Sequence, residues 1–135
     1  MAKLIMVIND TEEILELFEM ILSEEGYEVS LYSYQVRELD QVKKVNPDLL
    51  IVDQMIMDES PGWQLIQKMK MDQTTAKIPI VVCTAAINKI KELEGHLKEK
   101  NVQVVIKPFD IEELISAVKK GLGEEYVPPA RDKNN

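Results

Sequence analysis

Cysteine is nearly absent: Cys83 stands alone, so no disulfide framework and no cysteine zinc site organises the chain. Long apolar runs are missing too. The first, Leu4 to Ile8, stops at Asn9-Asp10, far short of the roughly 20 residues that span a bilayer. The N-terminus carries no cleavable export pattern. Basic residues are in deficit, with 16 lysines and arginines against 24 acids and a formal net charge of −8. That balance argues against nucleic acid or an anionic membrane as partner. The absences together imply a cytoplasmic protein. What is present is ordinary for a globular chain: 135 residues, 45% hydrophobic and 30% charged. This length suits one domain, and no separate output module is expected.

Five apolar runs recur at fairly even intervals: Leu4–Ile8, Tyr27–Tyr32, Leu49–Val52, Ile80–Cys83 and Val102–Ile106. Continuous Leu/Ile/Val runs read as strands buried on both faces of a parallel sheet. In the second run, Tyr27, Val29 and Leu31 alternate with Glu28, Ser30 and Tyr32. Alternation leaves one wet face, so this run is expected at an edge. Gln103 marks the fifth as the other edge.

Helical spacing fills the gaps. Ile14, Leu17, Phe18, Ile21 and Leu22 form a stripe closed by Gly26. A weaker helix through Val36, Leu39 and Val42 must end before Pro47. Ser60-Pro61 opens a third, with Leu65, Ile66 and Met69 inward. Ile87, Ile90, Leu93 and Leu97 predict a fourth. The capping box Asp110 to Glu113 opens a fifth, with Leu114, Ile115 and Val118 inward before Gly121 and Gly123. Strand and helix alternate five times, which builds an α/β fold: a five-stranded parallel sheet with helices on both faces. With the second strand at an edge, the flavodoxin-like order 2-1-3-4-5 follows. The expected domain is 1–123, with 124–135 a polar and flexible tail.

In an open parallel sheet, ligands bind outside the carboxyl ends of the strands. That rule selects Asn9-Asp10, Asp53, Thr84 and Lys107, two carboxylates with a hydroxyl and an ammonium. Converging carboxylates suit a hard divalent cation, and Mg²⁺ takes one or two of them plus waters and phosphate oxygens. A lysine and a hydroxyl opposite suit phosphoryl oxygens. Each residue also has a plainer reading. Asp10 lies three residues before Glu13 and suits a helix cap as well as a metal. Thr84 alone would pass as an ordinary strand-end residue, and Lys107 alone as a surface ion-pair partner. Asp53 ends the run Leu49-Leu50-Ile51-Val52, where an acid is costly to bury unless paired or metal-bound.

Over roughly Lys3 to Leu122 the sequence resembles the receiver family of two-component response regulators. The resemblance rests on Pro47-Asp48-Leu-Leu-Ile-Val-Asp53, Thr84-Ala85 and Ile106-Lys107-Pro108-Phe109-Asp110. It implies that Asp53 is the phosphoacceptor, taking a phosphoryl group from a sensor histidine kinase or a histidine phosphotransfer protein. Asp10, Asp53 and the backbone carbonyl of Met55 would hold Mg²⁺, with Asn9 contributing through a water. Lys107 and Thr84 would meet phosphoryl oxygens, and a downstream protein target would read the switched surface near the fourth helix and fifth strand. Such a protein is a phosphoacceptor regulator rather than an enzyme, with no nucleic acid or membrane partner.

The chain departs from the family pattern in places. Asn9 replaces an acid, so weaker Mg²⁺ binding is expected. The loop after Asp53, Gln54-Met-Ile-Met57-Asp-Glu-Ser-Pro-Gly62, lacks the usual proline and has one residue more. Val104 takes the place of an aromatic residue. Met55 and Ala86 stand at positions that influence phosphoryl hydrolysis, and neither can hold a water by hydrogen bonding; a long-lived phosphoryl state follows. These departures keep a second reading open, a degenerate receiver that binds partners without phosphorylation. A phosphatase of the haloacid-dehalogenase type would want Asp-x-Asp after the first strand, which Asn9-Asp10-Thr11 does not supply. A flavin protein would want a Ser/Thr/Gly-rich phosphate loop there, not acids.

Overall fold

A computed structural model describes residues 2–9, 11–32, 39–53, 61–84, 101–107 and 110–125, with the backbone alone for 53 and 61–64. Its elements are β1 (Leu4–Ile8), α1 (Glu12–Glu24), β2 (Glu28–Tyr32), α2 (Leu39–Val45), β3 (Leu49–Asp53), α3 (Pro61–Met71), β4 (Ile80–Thr84), β5 (Val102–Ile106) and α4 (Ile111–Leu122). The helix expected over 87–97 lies outside the described residues, as do Val36 and residues 126–135. The strands are all parallel, in the order β2-β1-β3-β4-β5, so the alternating run and the Gln103 run take the two edges.

Side chains alternate across the sheet, and each face acquires its own core. Ile5 and Val7, Leu49 and Ile51, and Val81 and Cys83 meet Leu15, Phe18 and Leu22 of α1 and Leu114, Ile115 and Val118 of α4. Met6 and Ile8, Leu50 and Val52, and Ile80 and Val82 meet Val42 of α2 and Leu65, Ile66 and Met69 of α3. The three central strands are covered on both sides, which explains their unbroken aliphatic runs. Each such fully buried side chain contributes about 1.5–3 kcal/mol over exposure. Among the described residues, no helix is long and apolar enough to cross a membrane.

Local chemistry sets the boundaries. Gly26, at φ 89°, ends α1; its N–H donates to the Ser23 carbonyl, and the Tyr27 N–H reaches back to that of Leu22. That bond makes Tyr27 part of the helix stop, so β2 begins at Glu28, one residue later than the alternation suggested. Asn46, at φ 50°, closes α2 directly before Pro47. The Asp110 side chain accepts from the Glu113 N–H at 2.8 Å, the expected cap of α4. This helix runs through Gly121 and stops at Gly123, φ 74°. Between α3 and β4, the Lys70 ammonium donates to the carbonyls of Ala76 and Ile78, and the Thr75 hydroxyl donates to that of Met69.

Glu124, the first residue of the expected tail, is tied to the domain. Its N–H donates to the Lys119 carbonyl, its carboxylate accepts from the Tyr27 hydroxyl at 2.7 Å, and Lys3 lies 3.1 Å away. The Tyr27 bond, with Lys3 and Lys119, holds the Glu124 carboxyl below its ordinary range. Burial, and then the same bond, push the Tyr27 hydroxyl well above its ordinary 10.0. A lowered carboxylate stabilises above its unfolded pKa, and that contribution is lost as pH falls through the folded value. A raised phenol stabilises below pH 10 and loses its contribution as pH climbs beyond. Glu124→Gln is therefore expected to cost about 1 kcal/mol near neutrality. The gap from wild type should close in acid, as urea titrations across pH would register; a gap that widens there would contradict the assignment.

Candidate functional site

The carboxyl ends of β1, β3, β4 and β5 finish almost level. Ile8 pairs with Val52, Asp53 with Cys83, and Thr84 with Ile106. One step further, the Lys107 N–H donates to the Thr84 carbonyl at 2.9 Å, carrying the β4–β5 pairing past the end of the strand. On the other side, the Asn9 N–H donates to the Tyr32 carbonyl at 3.0 Å and does the same for β1 and β2. Asn9, Asp53, Thr84 and Lys107 therefore stand on four neighbouring strands within two residues of a common level. Neighbouring strands lie about 4.8 Å apart and Lys107 stands two residues beyond the Asp53 level, so the two backbones are separated by roughly 12 Å. An extended lysine can reach across much of that gap toward a group carried by Asp53.

Burial differs among these residues. Asn9 is fully buried and Thr84 nearly so, while Lys107 is half-buried. Buried polar side chains of this kind need partners. The Asn9 Oδ1 accepts from the Thr11 N–H at 2.7 Å, bending the chain between β1 and α1. Thr11, with extended backbone, is the N-cap of α1. The N-cap position thus falls one residue after Asp10, which itself lies outside the described residues.

Other expected site residues stand apart from this description. Asp10, Met55, Ala85 and Ala86 lie outside the described residues, and for Asp53 the backbone alone is placed. Val104 is half-buried on β5 and rests against the core shared with α2 and α3. Cys83 is buried among the apolar residues of the opposite core. The sequence points to Asn9 as a replaced acid able to hold a metal-bound water; its turn-closing bond is what the structure adds. The Asn-x-Thr spacing just before Glu12-Glu13 was the available signal. The donors expected here from the sequence, Asn9, Asp10, Asp53 and the Met55 backbone carbonyl, are all oxygens. Such a set fits a small hard cation such as Mg²⁺.

Comparison with known proteins adds to this geometry. A family model described as the response regulator receiver domain matches residues 5–119. A putative response regulator from Chloroflexus aurantiacus J-10-fl is 27% identical, with a TM-score of 0.74 over 92% of this chain and 100% of its own. The chemotaxis response regulator CheY4 of Vibrio cholerae is 22% identical, with a TM-score of 0.73 over 90% and 100%. The signal receiver domain of a signal transduction histidine kinase from Syntrophus aciditrophicus is 22% identical, with a TM-score of 0.69 over 96% and 100%. These last two share the fold.

Proposed function

Because the chain belongs to the response regulator receiver family, we propose that it is a phosphoacceptor signalling protein that takes a phosphoryl group onto Asp53. The observation that carries this reading is the near-level placement of Asn9, Asp53, Thr84 and Lys107 at the carboxyl ends of neighbouring strands. The donor is a phosphohistidine on a sensor histidine kinase or a histidine phosphotransfer protein. An oxygen of the Asp53 carboxylate attacks phosphorus in line. The P–N bond breaks, its electron pair stays on the imidazole nitrogen, and Asp53 is left as an acyl phosphate. Lys107 pairs with one phosphoryl oxygen, and the Thr84 hydroxyl donates to another. Asp10, Asp53, the backbone carbonyl of Met55 and, through a water, Asn9 would hold a Mg²⁺ ion, whose charge when bound offsets that of the phosphoryl oxygens.

Phosphorylation adds charge at the carboxyl end of the sheet, and a protein target reads the changed surface around 87–97 and β5. With Val104 at the centre of β5, that readout runs through backbone and other side chains rather than a rotating aromatic ring. The acidic composition and single buried cysteine support a cytoplasmic setting without nucleic acid or membrane. The domain is 1–123 extended by Glu124, which Tyr27 and Lys3 hold to it, with the remaining residues a short C-terminal tail. As a phosphoacceptor regulator it carries out at most self-catalysed phosphoryl transfer and slow autodephosphorylation.

Incubation with acetyl phosphate and Mg²⁺ tests this reading by intact-mass spectrometry. One phosphoryl adduct is expected, absent when the cation is chelated. Since neither Met55 nor Ala86 can position a water, the adduct should persist for hours. A half-life of seconds would contradict the persistence. No adduct from acetyl phosphate or from a phosphorylated histidine phosphotransfer protein would favour a phosphorylation-independent interaction module instead.

A further inference from the structure

We infer that β5 is a docking edge: an extended, basic segment of a protein target adds beside it as a further strand, along the cleft between β5 and α4. The inference deepens the proposed function and rests on its reading that a protein target meets the surface near β5. At the two ends of the β4–β5 ladder, the Ile80 N–H donates to the Asn101 carbonyl and the Lys107 N–H to the Thr84 carbonyl. Backbone direction alternates along a strand, so the N–H and C=O groups of Val102, Val104 and Ile106 turn away from β4. Among the described residues no strand lies beyond β5 to meet them. Such an edge is a template for another strand unless charge, proline or a bulge blunts it. The opposite edge, β2, opens with the exposed Glu28. Val102-Gln-Val-Val-Ile106 carries no charge, proline or glycine.

The space beside this edge gives the partner its character. A cleft of about 540 Å³ separates β5 from α4, and Ser116 and Ala117 line it from the helix with small side chains. An added strand therefore has room for its own side chains there. Because α4 runs back along β5, bringing Gly121 beside Gln103, Lys120 lies toward the amino end of the strand. Asp110, Glu112 and Glu113 line the other end, so three carboxylates stand against one ammonium. A second copy of this chain, itself at −8, is repelled from such a cleft, whereas a segment with lysines beside Glu112 and Glu113 is attracted. Main-chain hydrogen bonds to the edge supply affinity, and the acids select the partner.

The test titrates the full, unphosphorylated chain with a short blocked peptide of alternating threonine and valine that carries a lysine pair at one end. The same peptide with glutamate in place of lysine is the control. Amide chemical shifts follow binding, and hydrogen exchange is measured on β5. The lysine peptide should slow exchange of the Val104 and Ile106 amides at least tenfold and leave the Val105 amide, which faces β4, as it was. The glutamate peptide should bind at least tenfold more weakly. Ser116→Lys fills the cleft and should abolish peptide binding, yet take up phosphoryl from acetyl phosphate at the wild-type rate. Glu113→Lys, at an exposed position, should weaken binding about fivefold. Peptide binding that leaves Val104 and Ile106 unprotected would overturn the inference, as would equal binding of both peptides. A sedimenting dimer whose Val104 and Ile106 amides are protected without peptide would overturn it too, by placing a second copy on the edge. No binding of either peptide would end the inference while leaving phosphoryl uptake, read separately by mass, where it stands.

Discussion

Lys107→Ala is expected to slow phosphoryl uptake from acetyl phosphate about a hundredfold, a loss typical of removing one preorganised charged donor at a transferring group. Lys107 follows β5, and its N–H bond to Thr84 fixes the backbone from which the side chain extends. Pro108 biases that backbone toward an extended path rather than a helical one. The side chain is half-buried, so its charge is only partly screened by solvent. Fold stability should change by no more than about 1 kcal/mol, since no core contact is removed. A time course of adduct mass, with thermal melts of both proteins, separates the two effects. Uptake at the wild-type rate in Lys107→Ala would remove the lysine from the site.

Gly121→Val is expected to destabilise the domain by about 3 kcal/mol, through overpacking in a filled core. For a chain of this size that lowers Tm by roughly 10 °C. A Cβ at Gly121 would stand 2.9 Å from Cδ1 of Leu49 and 3.4 Å from Cβ of Pro79. Leu49 is fully buried at the start of β3, so its methyl has little room to withdraw. Alanine is the informative comparison. Its better helix propensity, worth about 1 kcal/mol, works against the close contact and should leave Gly121→Ala within about 1 kcal/mol of wild type. Because Gly121 packs at the amino end of the strands, Gly121→Val should still accept phosphoryl while folded. A valine protein that melts at or above the wild-type temperature would refute the packing argument.

The strand order was readable because β2 and β3 differ so plainly in pattern. Glu28 and Ser30 interrupt the apolar residues of β2, whereas Leu49 through Val52 run unbroken, and burial on one face or two explains the difference. Helix ends were equally legible where one residue carries the physics, as at Gly26, Asn46-Pro47 and Asp110. Contacts between distant segments were not. Gly121 reads as a stop until Leu49 and Pro79 are placed against it, and Tyr27 reads as strand until its N–H is seen to close α1. Glu124 belonged to the tail by composition, yet its carboxylate meets Tyr27 and Lys3 from far along the chain. At the site, the strand-end rule located Asn9, Asp53, Thr84 and Lys107 without any contact being known. The turn that Asn9 closes depends on one side-chain hydrogen bond, which residue identity permits but does not dictate.

The central claim is that Asp53 is the acceptor. Its most direct test is intact-mass spectrometry of wild type and Asp53→Asn after the same treatment with acetyl phosphate and Mg²⁺, with circular dichroism confirming that both are folded. The account predicts a single phosphoryl adduct on the wild type and none on the folded variant. An adduct of equal yield on Asp53→Asn would place the phosphoryl group elsewhere and contradict it.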